Sequence, residues 1–256
     1  MRPSRPLAAV AAAAMLAAGC SDRTTAGSAS PAPVPTSASA TPKPSPTVPD
    51  NGVAALPADD ILIRARAALR TAKAVRIKGV VGEGRERMSL DIRYSGTDSS
   101  GVVGQRGQVL EFRRVGAFVY IKGDRRFWLA NGGEAVARLL TGAWLKAPVT
   151  DKELAEVTEL TDLTKAAANL LPRAGTMTTG SRRALDGVPA VRLDDNALAG
   201  GAFYVATTGR PYPLLIEASD RPADPNEITF SDYDRRRPVR PPPADQVIDS
   251  AALPGG

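Results

Sequence analysis

Among the 256 residues there is no histidine and one cysteine, which closes off most ways of building a reactive centre. Without an imidazole there is neither a histidine-based nucleophile triad nor a histidine metal site. The sequence contains no G-x-S-x-G elbow, no S-x-x-K dyad and no phosphate-binding loop. Gly101, Gly104 and Gly107 recur every third residue, but their surroundings read as strand and turn rather than as a phosphate cradle. Asp59-Asp60 and Asp194-Asp195 are carboxylate pairs of the type that general acid–base chemistry uses. Adjacent acids in caps and turns are more often simply solvated. These residues predict no enzyme, no cofactor and no metal site.

The cysteine offers a different chemistry, because Cys20 follows the small residues Ala17, Ala18 and Gly19. Before them lie Arg2 and Arg5 and an apolar run from Leu7 to Ala18, too short to span a bilayer. A basic head, a short apolar core and small residues before a cut make a secretory signal. Leu16 to Cys20 resembles the bacterial lipobox, with Ala17 where Leu, Val or Ile more often stands. The expected chemistry is lipidation of Cys20 and cleavage before it, so residues 1–19 are read as a lipoprotein signal peptide. The alternative is an ordinary signal peptide in which the cysteine stands by chance. Two acyl chains of the palmitate kind would hold the chain at a membrane, where one binds only marginally. No cysteine is then left for a disulfide, and the mature chain is expected on the extracytoplasmic face of the cell membrane.

Charge narrows the partners. Loss of the leader removes two arginines and lowers the formal charge from +6 to +4. That balance is mild, and nucleic-acid binding would want clustered Lys and Arg with a stacking platform. Arg outnumbers Lys 26 to 7 and Ala is abundant, which points to a high-GC genome and, with the envelope address, to an actinobacterium.

Residues 20–57 join the anchor to the rest. Prolines at 31, 33, 35, 42, 44, 46 and 49 stand among Ser, Thr, Ala and Gly. Such a segment has too little apolar side chain to collapse and reads as a disordered tether. Extended at about 3.1 Å per residue, it reaches on the order of 100 Å.

The folded domain is expected over 58–250, with 251–256 as a tail. Asp59 or Asp60 can cap a first helix, along which Ile61, Leu62, Ala65, Ala68, Leu69 and Ala72 recur at helical spacing, ending near Lys73. The period then changes to two. Five extended runs follow: Val75 to Lys78, Met88 to Tyr94, Val102 to Arg106, the stretch around Leu110 and Phe112, and Ala117 to Lys122. The last is apolar on both faces and must be covered on both. Helical spacing returns over Glu134 to Leu140, Asp151 to Val157, and Leu160 to Leu171 before Pro172, with Gly142 to Pro148 as an interruption. Five more strands are expected: Thr176 to Arg183, Val188 to Leu193, Ala202 to Thr207, Leu214 to Ala218 and Glu227 to Tyr233. Asp186-Gly187 is the hairpin turn between the first two. Beyond Asp234 the chain reads as an extended exit. The layout predicts an α+β domain, with about ten antiparallel strands in a curved sheet and helices on its concave face.

Several phrases carry a resemblance. They are Gly116 to Lys122 (GAFVYIK), Phe127-Trp128, Gly142 to Pro148 (GAWLKAP), Phe203 to Ala206 with Arg210 to Ile216, and Ile228 to Tyr233. With the lipobox, the proline-rich tether and the amphipathic helix, they resemble the LolA-like lipoproteins of actinobacteria, relatives of the LppX and LprG lipid carriers. The resemblance implies a half-barrel closed by helices, with an apolar cavity that holds an acylated lipid or glycolipid without bond chemistry, metal or cofactor. It implies a cell-envelope, lipid-transport role, and the chain is expected to be a monomer. The same fold in a sensor or scaffold that binds a protein partner is the alternative.

No motif of that family transfers residue by residue, so the cavity wall is read from alternation alone. The strand candidates are Met88, Leu90, Ile92, Leu110, Phe112, Val119, Ile121, Val191, Leu193, Phe203, Val205, Leu214, Ile216, Ile228 and Phe230. Leu160, Leu163 and Leu170 face them from a helix. The same residues would equally make a dry core. Trp128 and Trp144 are rim or core, and Arg235, Arg236 and Arg237 are a solvated charge run or a headgroup contact.

Overall fold

The computed structural model describes residues 48–82, 84–171, 177–196, 201–217 and 226–253. The leader, Cys20, the tether as far as residue 47, and Pro172 lie outside these residues.

The chain joins the fold earlier than Ala58. Asp50 bridges to Thr208, and the Asn51 side-chain amide donates to the Ala206 and Gly209 carbonyls at 3.0 and 3.1 Å. Val53, in a 3-10 turn over Val53–Ala55, is buried. The backbone at Asp50 and the side chain of Asn51 thus end the expected tether short of residue 57.

Helix α1 spans Ala58–Arg70 and buries Ile61, Leu62, Ala65, Ala68 and Leu69 along one side. Its N-cap is Pro57, without a side-chain cap bond. Asp59 and Asp60 stand in the first turn instead, where carboxylates suit the helix dipole. The helix stops at Thr71, whose hydroxyl donates back to the Ala67 carbonyl at 2.9 Å.

A meander follows: β1 (Ala74–Val81), β2 (Met88–Ser95), β3 (Asp98–Gln105), β4 (Gln108–Val115) and β5 (Phe118–Gly123). Helix α2 (Arg125–Leu140) starts well before Glu134, because the Asp124 carboxylate accepts from the Phe127 amide at 2.7 Å. Gly133, at φ 74°, kinks it where a break before the helix was expected. Gly142 to Pro148 is no interruption: Trp144–Pro148 forms β6, paired with β5. Helices α3 (Ala155–Leu160) and α4 (Leu163–Leu170) then lead to a second meander. It comprises β7 (Met177–Leu185), β8 (Val188–Asp195), β9 (Gly201–Ala206), β10 (Pro213–Glu217) and β11 (Glu227–Ser231). Asp186 and Gly187, both at positive φ, make the β7–β8 turn as expected.

All strands join one sheet in the order β12-β6-β5-β4-β3-β2-β1-β11-β10-β9-β8-β7, in which β12 is Val247–Asp249. The first meander therefore grows outward from the centre, and the second returns from the far edge until β11 closes on β1. Twelve described strands stand where about ten were expected, because β6 and β12 were not read as strands. Every pairing is antiparallel except β12 with β6. The exit beyond Asp234 is thus a strap. It leaves the sheet centre, crosses the outer face over β2, β3 and β4, and adds an edge strand beside β6. Nor is 251–256 wholly a tail, since Ser250–Ala252 is a 3-10 turn and Leu253 packs on the core.

The sheet is large, curved and antiparallel, with its helices on one face. Alternation assigns the faces, with Leu90, Ile92 and Tyr94 of β2 inward and Asp91 and Arg93 outward. Against the inner face, α2 lies on β4 and β5, and α1 lies on β7, β10 and α4. Strand β9 is buried on both faces. Its outer side is covered by a small cluster of Ala190, Ala202, Tyr204 and Leu215, with the Arg183 guanidinium 4.2 Å above the Tyr204 ring.

Candidate functional site

The inner face is one continuous apolar cluster, running from β5 and β4 through the centre to β8 and β9. Of the expected wall, Leu90, Ile92, Leu110, Phe112, Val119, Ile121, Val191, Leu193, Phe203, Val205, Ile228 and Phe230 are all buried in it. Met88, Leu163, Leu170 and Ile216 are half-buried against the same cluster. Leu160 is half-buried at the end of α3.

Leu214 corrects the list. A register shift between Pro213 and Leu215 turns it away from Ile216's side, and it packs on the outer cluster around Tyr204. A bulge moves every later side chain to the opposite face, and alternation alone does not reveal one. The helical half of the wall also comes largely from residues outside that list: Ile61, Leu62 and Leu69 of α1, and Trp128 and Leu140 of α2. Their helical period was the available signal. Trp128 is buried in this cluster, whereas Trp144 is buried on the outer side, with the Arg113 guanidinium 4.7 Å from its ring.

Packing inside is close. Phe112, Val119, Ile121, Leu193 and Phe203 are 0% exposed. Gly101 explains how Phe112 fits, because a Cβ there would stand 3.0 Å from the ring's Cζ and 2.9 Å from Ile92 Cγ1. Of the three glycines, Gly101 thus serves packing, while Gly107 stands at φ 73° in the β3–β4 turn.

Helices α3 and α4 are fastened to the sheet through the turn between them. The Tyr94 hydroxyl donates to the Leu160 carbonyl at 2.8 Å, and the Ser99 hydroxyl donates to the Thr161 carbonyl at 2.9 Å. The Arg114 guanidinium lies 3.6 Å from the Asp162 carboxylate. That carboxylate also caps α4, accepting from the Thr164 and Lys165 amides at 2.9 and 3.2 Å. Burial pushes the Tyr94 phenol far above its ordinary value, with the Asp162 charge adding to the shift. Tyr94 therefore stays a neutral donor. Together these contacts make a polar latch at residues 160–162, inside an otherwise apolar interface. Among the described residues, the Trp128 Nε1 and Arg114 Nε atoms are buried without a hydrogen-bond partner.

The outer face is chemically opposite. Arg76 donates to Asp91 at 2.7 Å, and Arg93 donates to Asp232 at 2.7 Å. The Arg93 hydrogen bond holds the Asp232 carboxyl below its usual range, and the Arg237 and Arg235 charges assist. Two adjoining clefts of about 550 and 240 Å³ open between this face and the strap at Pro238 and Val239. Their walls mix charged side chains, Arg and Asp above all, with apolar ones from the strap and the sheet. A third, of about 560 Å³, lies over Gly79, Val80 and Val102 on the same side. Of the carboxylate pairs, Asp194 is held by Arg192 at 2.5 Å, and Asp59 and Asp60 open α1. Among the described residues, no group of three or more His, Cys, Asp or Glu stands close enough to hold a metal ion.

The topology decides the architecture: a single curved antiparallel sheet with its helices on one face is the half-barrel arrangement expected above. No family model matches the sequence, and no curated protein matches it either. Solved structures with a likeness include LprF from Mycobacterium bovis, at 12% identity and a TM-score of 0.47, covering 72% of this chain and 96% of that one. Another is an uncharacterized conserved protein from Thermus thermophilus, at 14% identity and a TM-score of 0.34, covering 75% of this chain and 98% of that one. A third is the MucA/MucB complex of Pseudomonas aeruginosa, at 17% identity and a TM-score of 0.31, covering 73% of this chain and 59% of that one. At such scores, what the chain does rests on its own residues. No described helix is long and apolar enough to cross a membrane.

Proposed function

We propose that this chain is an extracytoplasmic lipoprotein, anchored through Cys20, that holds the acyl part of a lipid or glycolipid between sheet and helices and carries it through the envelope. The observation that carries the reading is the continuous apolar sheet–helix interface, whose α3–α4 lid is held by a few polar contacts. The reading assigns the protein no bond chemistry and no cofactor.

Magnitudes make it workable. In the present structure the interface is closed, so a chain enters only if α3 and α4 part from the sheet. Breaking the Tyr94 and Ser99 bonds costs roughly 0.5–1.5 kcal/mol each. Unseating half-buried Leu163 and Leu170 costs up to about 1.5–3 kcal/mol each. Buried Ala166, Ala167 and Leu171 and half-buried Leu154 and Val157 leave the core with them. Burying an acyl chain of about sixteen methylenes is worth about 13 kcal/mol measured from water, and less for a lipid that leaves a bilayer. Opening and filling the interface are therefore terms of similar size.

Native mass spectrometry of residues 46–256, the compact unit that holds every described element, tests this directly. A stoichiometric lipid adduct is the expected result, and an empty domain after incubation with membrane extract would overturn it. The complete burial of Phe112, Val119 and Ile121 favours the second reading, a scaffold of the same fold that binds a protein partner with its interior closed. The empty domain is the result which that reading expects.

A further inference from the structure

We infer that the outer face of the sheet carries a second site, a guanidinium-lined cleft under the 235–240 strap that binds a phosphate-bearing anion. This does not rest on the reading of the interior, since the two sites occupy opposite faces of the sheet.

The cleft is assembled by topology. Returning from β11 to β12 forces the strap across β2, β3 and β4, and Arg113 pins it by donating from Nη1 to the Arg240 carbonyl at 3.4 Å. Six arginines line the two adjoining hollows: Arg76, Arg93 and Arg113 from the sheet, and Arg235, Arg237 and Arg240 from the strap. Only three carboxylates stand among them, Asp91, Glu111 and Asp232, which leaves an excess of three positive charges.

The pairing shows where that excess sits. Asp91 takes Arg76, Glu111 takes Arg113 at 3.5 Å, and Asp232 takes Arg93 while Arg235 stands 3.8 Å away. Among the described residues, Arg237 and Arg240 form no ion pair with a carboxylate. Both are exposed, so an incoming anion meets hydrated guanidiniums at the mouth and ordered Arg–Asp pairs behind them. Guanidinium forks match phosphate oxygens two at a time, and phosphate carries enough charge to offset the excess. Pro238, Val239 and Val102 add an apolar lip. At about 550 Å³ the larger hollow has room for more than a bare phosphate, such as the glycerol or sugar beside it. Lipid headgroups and soluble phosphorylated compounds share that chemistry.

The test uses the mature chain, residues 20–256, carrying Cys20→Ser, so that neither the apolar leader nor an acyl anchor confounds membrane binding. One arm titrates inorganic pyrophosphate by calorimetry. The other measures flotation with phosphatidylcholine vesicles with and without phosphatidylglycerol. Saturable pyrophosphate binding that is about tenfold or more weaker in Arg237→Ala/Arg240→Ala is expected. Arg125→Ala removes a charge that pairs with Glu134 elsewhere and should leave that binding unchanged. Flotation that needs phosphatidylglycerol and is lost in the same double variant assigns the headgroup of a lipid. Pyrophosphate binding without flotation assigns a soluble phosphate. Binding in neither arm, or an equal loss in Arg125→Ala, overturns the site. If the double variant's circular dichroism differs from that of the parent, the exposed single change Arg237→Ala is read by the same criteria.

Discussion

Single residues on the inner face act through shape. Phe112 is fully buried, and its ring lies across β3 at Gly101. Phe112→Ala should therefore cost about 3–5 kcal/mol in urea unfolding, the range for an aromatic cavity that cannot collapse. Gly101→Val should cost about 1–3 kcal/mol from the opposite cause, since the added atoms meet Ile92, the Asp91 carbonyl and Phe112. On the outer face single residues act through charge. Asp91 and Asp232 are held below the ordinary 3.8 by their hydrogen bonds to Arg76 and Arg93. Folded carboxyls with depressed values stabilise the fold above the unfolded value, and that stability is lost as pH falls through the folded one. Stability should thus fall as pH drops below 3.8, and less steeply in Arg76→Ala; thermal melts between pH 5 and 2 check it. Both acids are partly exposed, so salt should weaken the effect.

At the scale of elements, two attachments deserve direct tests. The α3–α4 turn is held by Tyr94 and Ser99, so Tyr94→Phe with Ser99→Ala should loosen it by roughly 1–3 kcal/mol in total. Hydrogen exchange should rise over 155–170 while β1 to β3 stay protected. If lipid enters there, the same variant should take it up faster. The strap is the second attachment. It seals the β6 edge with β12, where Lys146 also pairs with Asp249 at 2.8 Å. Ending the chain after Asp234 would expose the β6 ladder and Trp144, and an uncovered edge invites pairing with other copies. Size-exclusion chromatography should then show a shift to dimers or larger species. The other edge needs no such cover. Strand β7 carries a register shift between Thr179 and Arg182 and exposed arginines, both of which discourage pairing.

For the molecule as a whole, the prediction concerns the anchor. Metabolic labelling with a radioactive fatty acid in an actinobacterial host should mark the parent chain, and Cys20→Ser should lose the label. With the anchor in place, the two faces of the sheet divide the work proposed for this protein. One side buries hydrocarbon, and the other offers guanidinium groups to an anion.

Much of this was legible from periodicity. Met88 to Tyr94 and Val188 to Leu193 announce their strands, because a half-buried strand must alternate, and the α1 stripe announces its helix because one face must be apolar. The α+β class and the burial of the inner-face residues follow from those patterns. Val247–Asp249 did not read as a strand, since three residues set no period, and Trp144–Pro148 did not, since Trp144 and Leu145 are apolar side by side and Gly142 and Pro148 bracket them as a break. Leu214 was placed on the wrong face because a bulge is a property of two strands together. The outer cleft has the same origin: Arg93 and Arg240 are far apart in the chain, and only the strap's route across the sheet brings them to one hollow. Local alternation thus determined what each segment buries. Pairing between distant segments decided which edge is closed, which face Leu214 takes and where the arginines gather, because those outcomes depend on contacts that no single stretch contains.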